Sequence, residues 1–280
     1  MKNIHVFLGC SYRFECLNVL CDLLKNNFKN NYVIHVICNL SSELFLENKE
    51  IIDFSLIDSF YHFPDKNCKR NNTNKKDRIR RQPLLLFVNM LKTASELNIS
   101  KFIYQECDVY PVNEISYLKH FNLLQEEDLF ATKVLLELKN PKIPFGYLAP
   151  GPMYFNNNHK SINEWIKNIN QQGLKLVYDG LCFEGILCKT MLDANISYKL
   201  TGTTMAPSYE YSDNMDPDTM HTHQHNILNL EKTFKKFNIT KGKWIQKIHN
   251  QEELFYFWDQ KYLKKEINET IKISNRKYKY

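Results

Sequence analysis

Residues Lys101 to Val112 read KFIYQECDVYPV. Phe102, Ile103 and Tyr104, followed by Gln105, make a short, mostly apolar run that ends in Glu106-Cys107-Asp108, and Pro111 breaks the chain's regular course soon after. Such a run reads as a buried strand whose carboxyl end opens into a cleft. On an extended strand Glu106 and Asp108 project from one face, about 6–7 Å apart along the backbone. Two carboxylates so placed suit a divalent cation with oxygen ligands, which in turn neutralises a diphosphate. Glu126-Glu127-Asp128 and Asp216-Pro217-Asp218 repeat the acid-x-acid spacing, but neither ends an apolar strand. Position singles out the first. Cys107, between the carboxylates, points to the opposite face and into the core.

Toward the N-terminus, Ile4 to Gly9 reads as a first strand and Phe14 to Phe28 as a helix, with Leu17, Leu20, Leu24 and Phe28 at helical spacing. Tyr32 to Cys38 (YVIHVIC) is a second buried strand and Phe54 to Phe63 a third. The polar run Asp65 to Asp77 is a loop by composition. A helix starts near Arg78, with Pro83 in its first turn and Leu84, Phe87, Leu91 and Ala94 on its buried face. Strands and helices alternate, which predicts an α/β fold with a mostly parallel central sheet flanked by helices. In such sheets ligands bind beyond the carboxyl ends of the strands, the edge shared by Gly9-Cys10-Ser11-Tyr12 and Glu106-Asp108.

Toward the C-terminus, Leu129 to Leu136 and Leu148 to Asn156 read as strands. A helix runs from Ser161 to a stop at Gly173, and Tyr178-Asp179-Gly180 opens another over Leu181 to Ala194. Ile196 to Leu200 is a further strand, and Thr201 to Met220 is a loop rich in Gly, Pro, Asp and Ser. In His221-Thr-His-Gln-His225 the three imidazoles share one face if the segment is extended. Beyond Leu230 the chain is basic and aromatic, with a helix expected over Glu252 to Ile273.

Composition narrows the function classes. The 280 residues can bury a full core, and 43 % hydrophobic with 24 % charged residues is ordinary for a soluble globular protein. No window approaches 18 uninterrupted apolar residues, and MKNIHVFLGCSYR lacks a signal-like apolar run, so a cytoplasmic protein is expected. Eight cysteines are scattered without a C-x-x-C pair, which speaks against zinc and for reduced, buried thiols. The net charge of +6 is uneven: residues 66–81 and 231–280 each carry seven net positive charges, leaving eight net negative elsewhere. That pattern favours local anion contacts over a uniformly basic nucleic-acid binder.

With those residues placed, the chain resembles nucleotide-sugar glycosyltransferases of the GT-A fold over roughly residues 4–230. The resemblance rests on an N-terminal β-α-β half, a D-x-D-like motif about a hundred residues in, a sugar-facing middle and a late histidine. It implies a catalytic domain over 1–230, with a Rossmann-like nucleotide half (1–112) and a sugar and acceptor half (113–230). Residues 231–280 would form a basic, aromatic, helical extension. The D-x-D appears as Glu106-Cys107-Asp108, which departs from the family at its first position. The implied metal ligands are Asp108, Glu106 and either His223 or His225, with Mn²⁺ or Mg²⁺ as cofactor. Pro150 to Asn156 resembles the turn and strand beneath the donor sugar, and Asp179-Gly180 with Glu184 resembles the acidic helix start near the acceptor.

The residues themselves supply chemical reasons for these roles. Tyr12 follows the first strand, where a ring can stack on a base. Arg78 and Arg81, at i and i+3 of a helix start, favour phosphate through donors and dipole alike. Asn156 and its neighbour Asn157 offer donors and acceptors for sugar hydroxyls. Asp179 or Glu184 would serve as the general base for an acceptor hydroxyl, although Asp179 also suits a helix N-cap. The expected activity is transfer of a sugar, hexosyltransferase-like, from a UDP- or GDP-sugar to a carbohydrate, glycan or glycoprotein acceptor. A sugar nucleotidyltransferase shares the sheet but needs a glycine-rich first loop, where this chain has only Gly9. A non-catalytic polyanion or nucleic-acid binder would use the basic blocks, but residues 66–81 lack interleaved aromatics. The basic C-terminus also fits peripheral contact with an anionic membrane.

Overall fold

The computed structural model describes residues 3–11, 13–68, 81–124, 129–134, 147–148, 152–156, 159–201, 205–206, 221–223 and 227–252. For 130–134, 147–148, 159, 200–201, 205–206, 221–223 and 227–229 it describes the backbone alone. In strand β1 (Ile4–Cys10), Ile4, Val6, Leu8 and Cys10 enter one core while Phe7 enters another. Helix α1 (Phe14–Asn26) covers the first core, and β2 (Tyr32–Cys38) repeats the alternation, with Ile34, Val36 and Cys38 on that side and Ile37 on the other. After the short helix α2 (Ser42–Asn48) and strand β3 (Ser59–His62), helix α3 (Gln82–Glu96) covers the second core. Strand β4 (Lys101–Glu106) then divides Ile103 from Phe102 and Tyr104. Period-two alternation thus builds one core on each face of the sheet.

The second half adds β5 (Val109–Pro111), α4 (Glu114–Leu123), β6 (Leu129–Val134), β7 (Tyr147–Leu148) and β8 (Met153–Asn156). Helices α5 (His159–Asn168), α6 (Leu174–Tyr178) and α7 (Phe183–Asp193) follow, then β9 (Tyr198–Thr201), β10 (Met205–Ala206) and β11 (His221–His223). Helices α8 (Ile227–Lys236) and α9 (Lys243–His249) complete the described chain. Among the described residues an eight-stranded sheet runs β3-β2-β1-β4-β8-β6-β7, with β9 beside β6. Its first four strands are parallel, whereas β8 lies antiparallel to both β4 and β6. The expected α/β fold, a mostly parallel sheet flanked by helices, is present, with a mixed second half.

Several local expectations change. Of Phe54 to Phe63 only the last part is strand, because Phe54–Leu56 forms a 3₁₀ turn. Gly173 does not end a helix: residues 169–173 form a π-helical turn that leads directly into α6. Asp179 therefore follows the end of α6 and does not open α7, which starts at Phe183. Helix α4 was not expected from the pattern, yet Asn113 caps it by accepting from the Ile115 and Ser116 amides. All eight thiols are free, and all but Cys182 are buried. No helix among the described residues is long and apolar enough to cross a membrane.

The boundary expected at 230/231 falls inside α8. Leu230, Phe234, Ile239, Trp244, Ile245 and Ile248 belong to the first core, with Phe234 edge-on to Tyr110 at 6.0 Å between ring centroids. Asp22 of α1 fastens α9 by accepting from the Trp244 amide at 2.6 Å and the Ile245 amide at 3.0 Å. Those amides are first-turn donors that no carbonyl of their own helix can satisfy. The approach requires glycine at 242, where φ is +102° and a Cβ would lie 2.0 Å from Asp22 Oδ1. The helix expected over Glu252 to Ile273 lies, from residue 253 on, outside the described residues.

Asp22→Ala leaves two buried amides unpaired and is expected to cost about 1–3 kcal/mol. Urea unfolding measures it; a loss under about 0.5 kcal/mol, as for an ordinary surface change, would show that α9 is held elsewhere.

Candidate active site

The strand order fixes where a cleft opens. From β1 the chain steps outward through β2 to β3, then returns to place β4 on the other side of β1. In open α/β sheets the crevice at such a reversal, beyond the carboxyl ends of the strands, takes the ligand. Here it is bordered by Ser11 and Arg13 after β1 and by Glu106, Cys107 and Asp108 after β4. Gly9 pairs with Glu106, and the Cys107 amide donates to the Gly9 carbonyl at 3.2 Å.

The acidic triplet differs from its expected geometry. Strand β4 ends at Glu106, and Cys107 and Asp108 make the tight turn into β5, so the carboxylates do not share one extended strand. Glu106 is half-buried; Asp108 is only 4 % exposed. The turn is closed from behind by Gln105, whose Nε2 donates to the Val109 carbonyl at 2.9 Å. Tyr117 of α4 donates its hydroxyl to Gln105 Oε1 at 2.5 Å, and Tyr154 of β8 donates to the Tyr117 carbonyl at 2.7 Å. This buried relay ties the turn to two other elements. Cys107 sits in the first core, as expected of the residue between the carboxylates.

A buried carboxylate needs a charged or hydrogen-bonding partner. For Asp108 it includes Arg13, whose Nη1 forms an ion pair with Oδ2. Sequence reading missed Arg13 because the two residues are far apart in the chain; its only signal was its place directly after the first strand's turn. Around the pair, burial pushes the Cys10 and Cys16 thiols upward, so they are neutral at ordinary pH and poor nucleophiles.

The histidine segment returns to this turn. Strand β11 pairs antiparallel with β5, with His221 opposite Pro111, Thr222 opposite Tyr110 and His223 opposite Val109. His223 is thus brought by its backbone beside the residue that follows Asp108; His225 lies outside the described residues. Among the described side chains no group of three or more His, Cys, Asp and Glu is arranged to hold a metal. The chemistry of the donors present nevertheless fits a divalent cation: a buried carboxylate already requiring a cationic partner, a second at Glu106, and a histidine-bearing strand alongside.

The other predicted residues fall in different places. Tyr12 and Arg78 lie outside the described residues. Helix α3 begins at Gln82, and Arg81 just before it forms an ion pair with Asp65 at 2.5 Å. Both line a cavity of about 580 Å³ with Asn39, Phe63, Lys66 and Asn89, at the carboxyl ends of β2 and β3. Ser11 joins this cavity to the crevice by donating to Asn39 Oδ1 at 2.9 Å. Asn156 is not brought to the site: it pairs with Lys101 at the start of β4, five residues and about 16 Å from Glu106. Asp179 is exposed, and Glu184 is half-buried in the first turn of α7. Next to it, Phe183 meets Phe87, which in turn meets Tyr104, two residues before Glu106.

No protein-family model and no curated protein matches the sequence. Solved structures do match. Galactosyltransferase LgtC, in complex with donor and acceptor sugar analogues, aligns at a TM-score of 0.50 and 12 % identity, over 79 % of this chain and 87 % of that one. Mouse xyloside xylosyltransferase 1 aligns at 0.48 and 12 %, over 79 % and 97 %. Glycosyltransferase GlyE of Streptococcus pneumoniae aligns at 0.44 and 13 %, over 72 % and 45 %. At such identities the likeness is one of fold. The chain has a GT-A-like fold, as the D-x-D-like strand end and its surroundings implied.

Gln105→Leu keeps the bulk but leaves the Val109 carbonyl and the Tyr117 hydroxyl without this partner. Amide hydrogen exchange over 107–110 is expected to speed up, with about 1–3 kcal/mol lost in stability. Unchanged exchange there would mean that Gln105 does not hold the turn.

Proposed function

We propose that the chain is a metal-dependent glycosyltransferase that moves a sugar from a uridine- or guanosine-diphospho-sugar to a hydroxyl of a carbohydrate, glycan or glycoprotein. One observation carries this reading: the buried Asp108 turn and the histidine-bearing strand β11 meet at the sheet's reversal crevice. The GT-A-like fold supports it.

In this reading Asp108 and Glu106, with His223 or His225, hold a divalent cation. When bound, that ion supplies positive charge against the leaving diphosphate. An imidazole among the ligands tilts the preference from Mg²⁺ toward Mn²⁺. Tyr12 stacks on the base, and Arg78 and Arg81 bind phosphate oxygens, Arg81 by exchanging its present partner Asp65. Asp179 or Glu184 takes the proton of the acceptor hydroxyl; Glu184 lies in the first turn of α7, whose Phe183 packs on Phe87. Phe87, in ring contact with both Tyr104 and Phe183, ties that helix start to β4, which would hold a base carried there in a fixed position. Asn156, at the opposite sheet edge, has no part in this site.

Asp108→Asn removes the charge and little of the shape. Release of nucleoside diphosphate from a panel of UDP- and GDP-sugars with Mn²⁺ is expected to fall at least 100-fold, about the 2.7 kcal/mol that one charge-stabilising group supplies, with circular dichroism unchanged. Full turnover by the wild type in EDTA would contradict the metal-dependent reading.

A further inference from the structure

Asp108 is held by a side chain that is less buried than itself. The Asp108 side chain is 6 % exposed and that of Arg13 is 31 % exposed, so the guanidinium is the solvent-accessible member of the pair. Arg13 stands at the N-cap position of α1, a helix of 13 residues, and makes no capping hydrogen bond there with its side chain. The positive end of a helix disfavours a cation unless an anion is close by, and it welcomes a phosphate. Two residues earlier Ser11 is bonded to Asn39, which lines the cavity of about 580 Å³. The segment that carries Arg13 therefore borders both the acidic turn and the neighbouring open volume. A guanidinium fork suits phosphate oxygens as well as it suits a carboxylate.

We propose that Arg13 is a displaceable counter-ion of Asp108: it occupies the carboxylate until a nucleoside diphosphate offers it phosphate oxygens, and so links entry of the divalent cation to entry of the nucleotide. The inference rests on the metal-dependent reading above. Its physical basis is competition. The guanidinium sits on the carboxylate oxygen that a cation would use and sets a positive charge in that cation's way. When the guanidinium moves to the diphosphate, the carboxylate regains its affinity for the cation, while an anion stays at the start of α1. Linkage then requires the reciprocal effect, tighter nucleotide binding when the cation is present. Arg13 is thus a positioning residue for the metal and a contact for the nucleotide.

Binding of Mn²⁺ to the full chain, read by electron paramagnetic resonance of the free ion, separates the outcomes without any turnover. Arg13→Gln and, as a second neutral variant, Arg13→Met are expected to bind Mn²⁺ alone about tenfold more tightly than the wild type. Arg13→Lys, which keeps the charge, should stay near the wild type. The gain must vanish in Arg13→Gln/Asp108→Asn. Both neutral variants should also bind UDP and GDP more weakly in the absence of metal. Equal Mn²⁺ affinity for the wild type and either folded neutral variant would overturn the proposal, as would a gain that survives Asp108→Asn. If both neutral variants fail to fold, the ¹⁵Nε signal of Arg13 in the wild type, assigned with Arg13→Lys, decides: it must shift on addition of Mn²⁺ with UDP or GDP, and an unmoved signal despite binding overturns the idea. If no form binds Mn²⁺ even with UDP or GDP present, the metal-dependent function itself has failed and this inference falls with it.

Discussion

A carboxylate buried at the carboxyl end of a central strand has to be paired, and the pairing of Asp108 with Arg13 joins the two strand ends that border the crevice. Asp108 lies in the turn after β4, and Arg13 lies between β1 and α1. Strands β1 and β4 are neighbours only because the chain reverses its direction across the sheet. The ion pair therefore sits at the reversal, between the ends of the neighbouring parallel strands β1 and β4. Behind it, Gln105, Tyr117 and Tyr154 carry the same constraint into α4 and β8 through buried hydrogen bonds. In front, Ser11 and Asn39 carry it toward the cavity at the ends of β2 and β3.

Strands such as β1, β2 and β4 were legible within a residue or so because each is buried on both faces, which leaves a mostly apolar run. Helices α1 and α3 were legible from their apolar stripes. What local pattern could not carry was contact between distant residues. Arg13 looked like one basic residue in a turn until the fold set it against Asp108. Asn156 was read as a sugar ligand from its amide and from the resemblance, neither of which could tell that β8 runs antiparallel to β4 and sets it opposite Lys101. Asp179 looked like a helix start because Asp and Gly together mark both caps and turns, and here the turn prevailed. Helix α4 escaped because its apolar residues are not confined to one face; only Asn113 marked its start.

The fold-level likeness and the site chemistry are separate grounds, and they meet at one place. Similarity to a galactosyltransferase at 12 % identity speaks for the sheet and its connections, not for any residue. The site consists of this chain's own atoms: a carboxylate too buried to stay unpaired, a relay that fixes its turn, and a strand whose register brings His223 beside Val109. The basic C-terminal helices belong to the same body, since α8 and α9 fill the first core with Phe234 and Trp244. Lys243 and Lys247 lie over the Trp244 ring at 5.5 and 4.8 Å, so part of the positive charge there packs on an aromatic face.

In the proposed function, metal and nucleotide meet at the Asp108 turn. Crystals grown with Mn²⁺ and UDP or GDP, measured at the manganese absorption edge, test it most directly. The expected result is an anomalous peak within about 2.0–2.6 Å of an Asp108 carboxylate oxygen, the range for hard cations and oxygen ligands, with the diphosphate in contact with it. A nucleotide bound elsewhere, or a manganese peak with no Asp108 oxygen in that range, would contradict it.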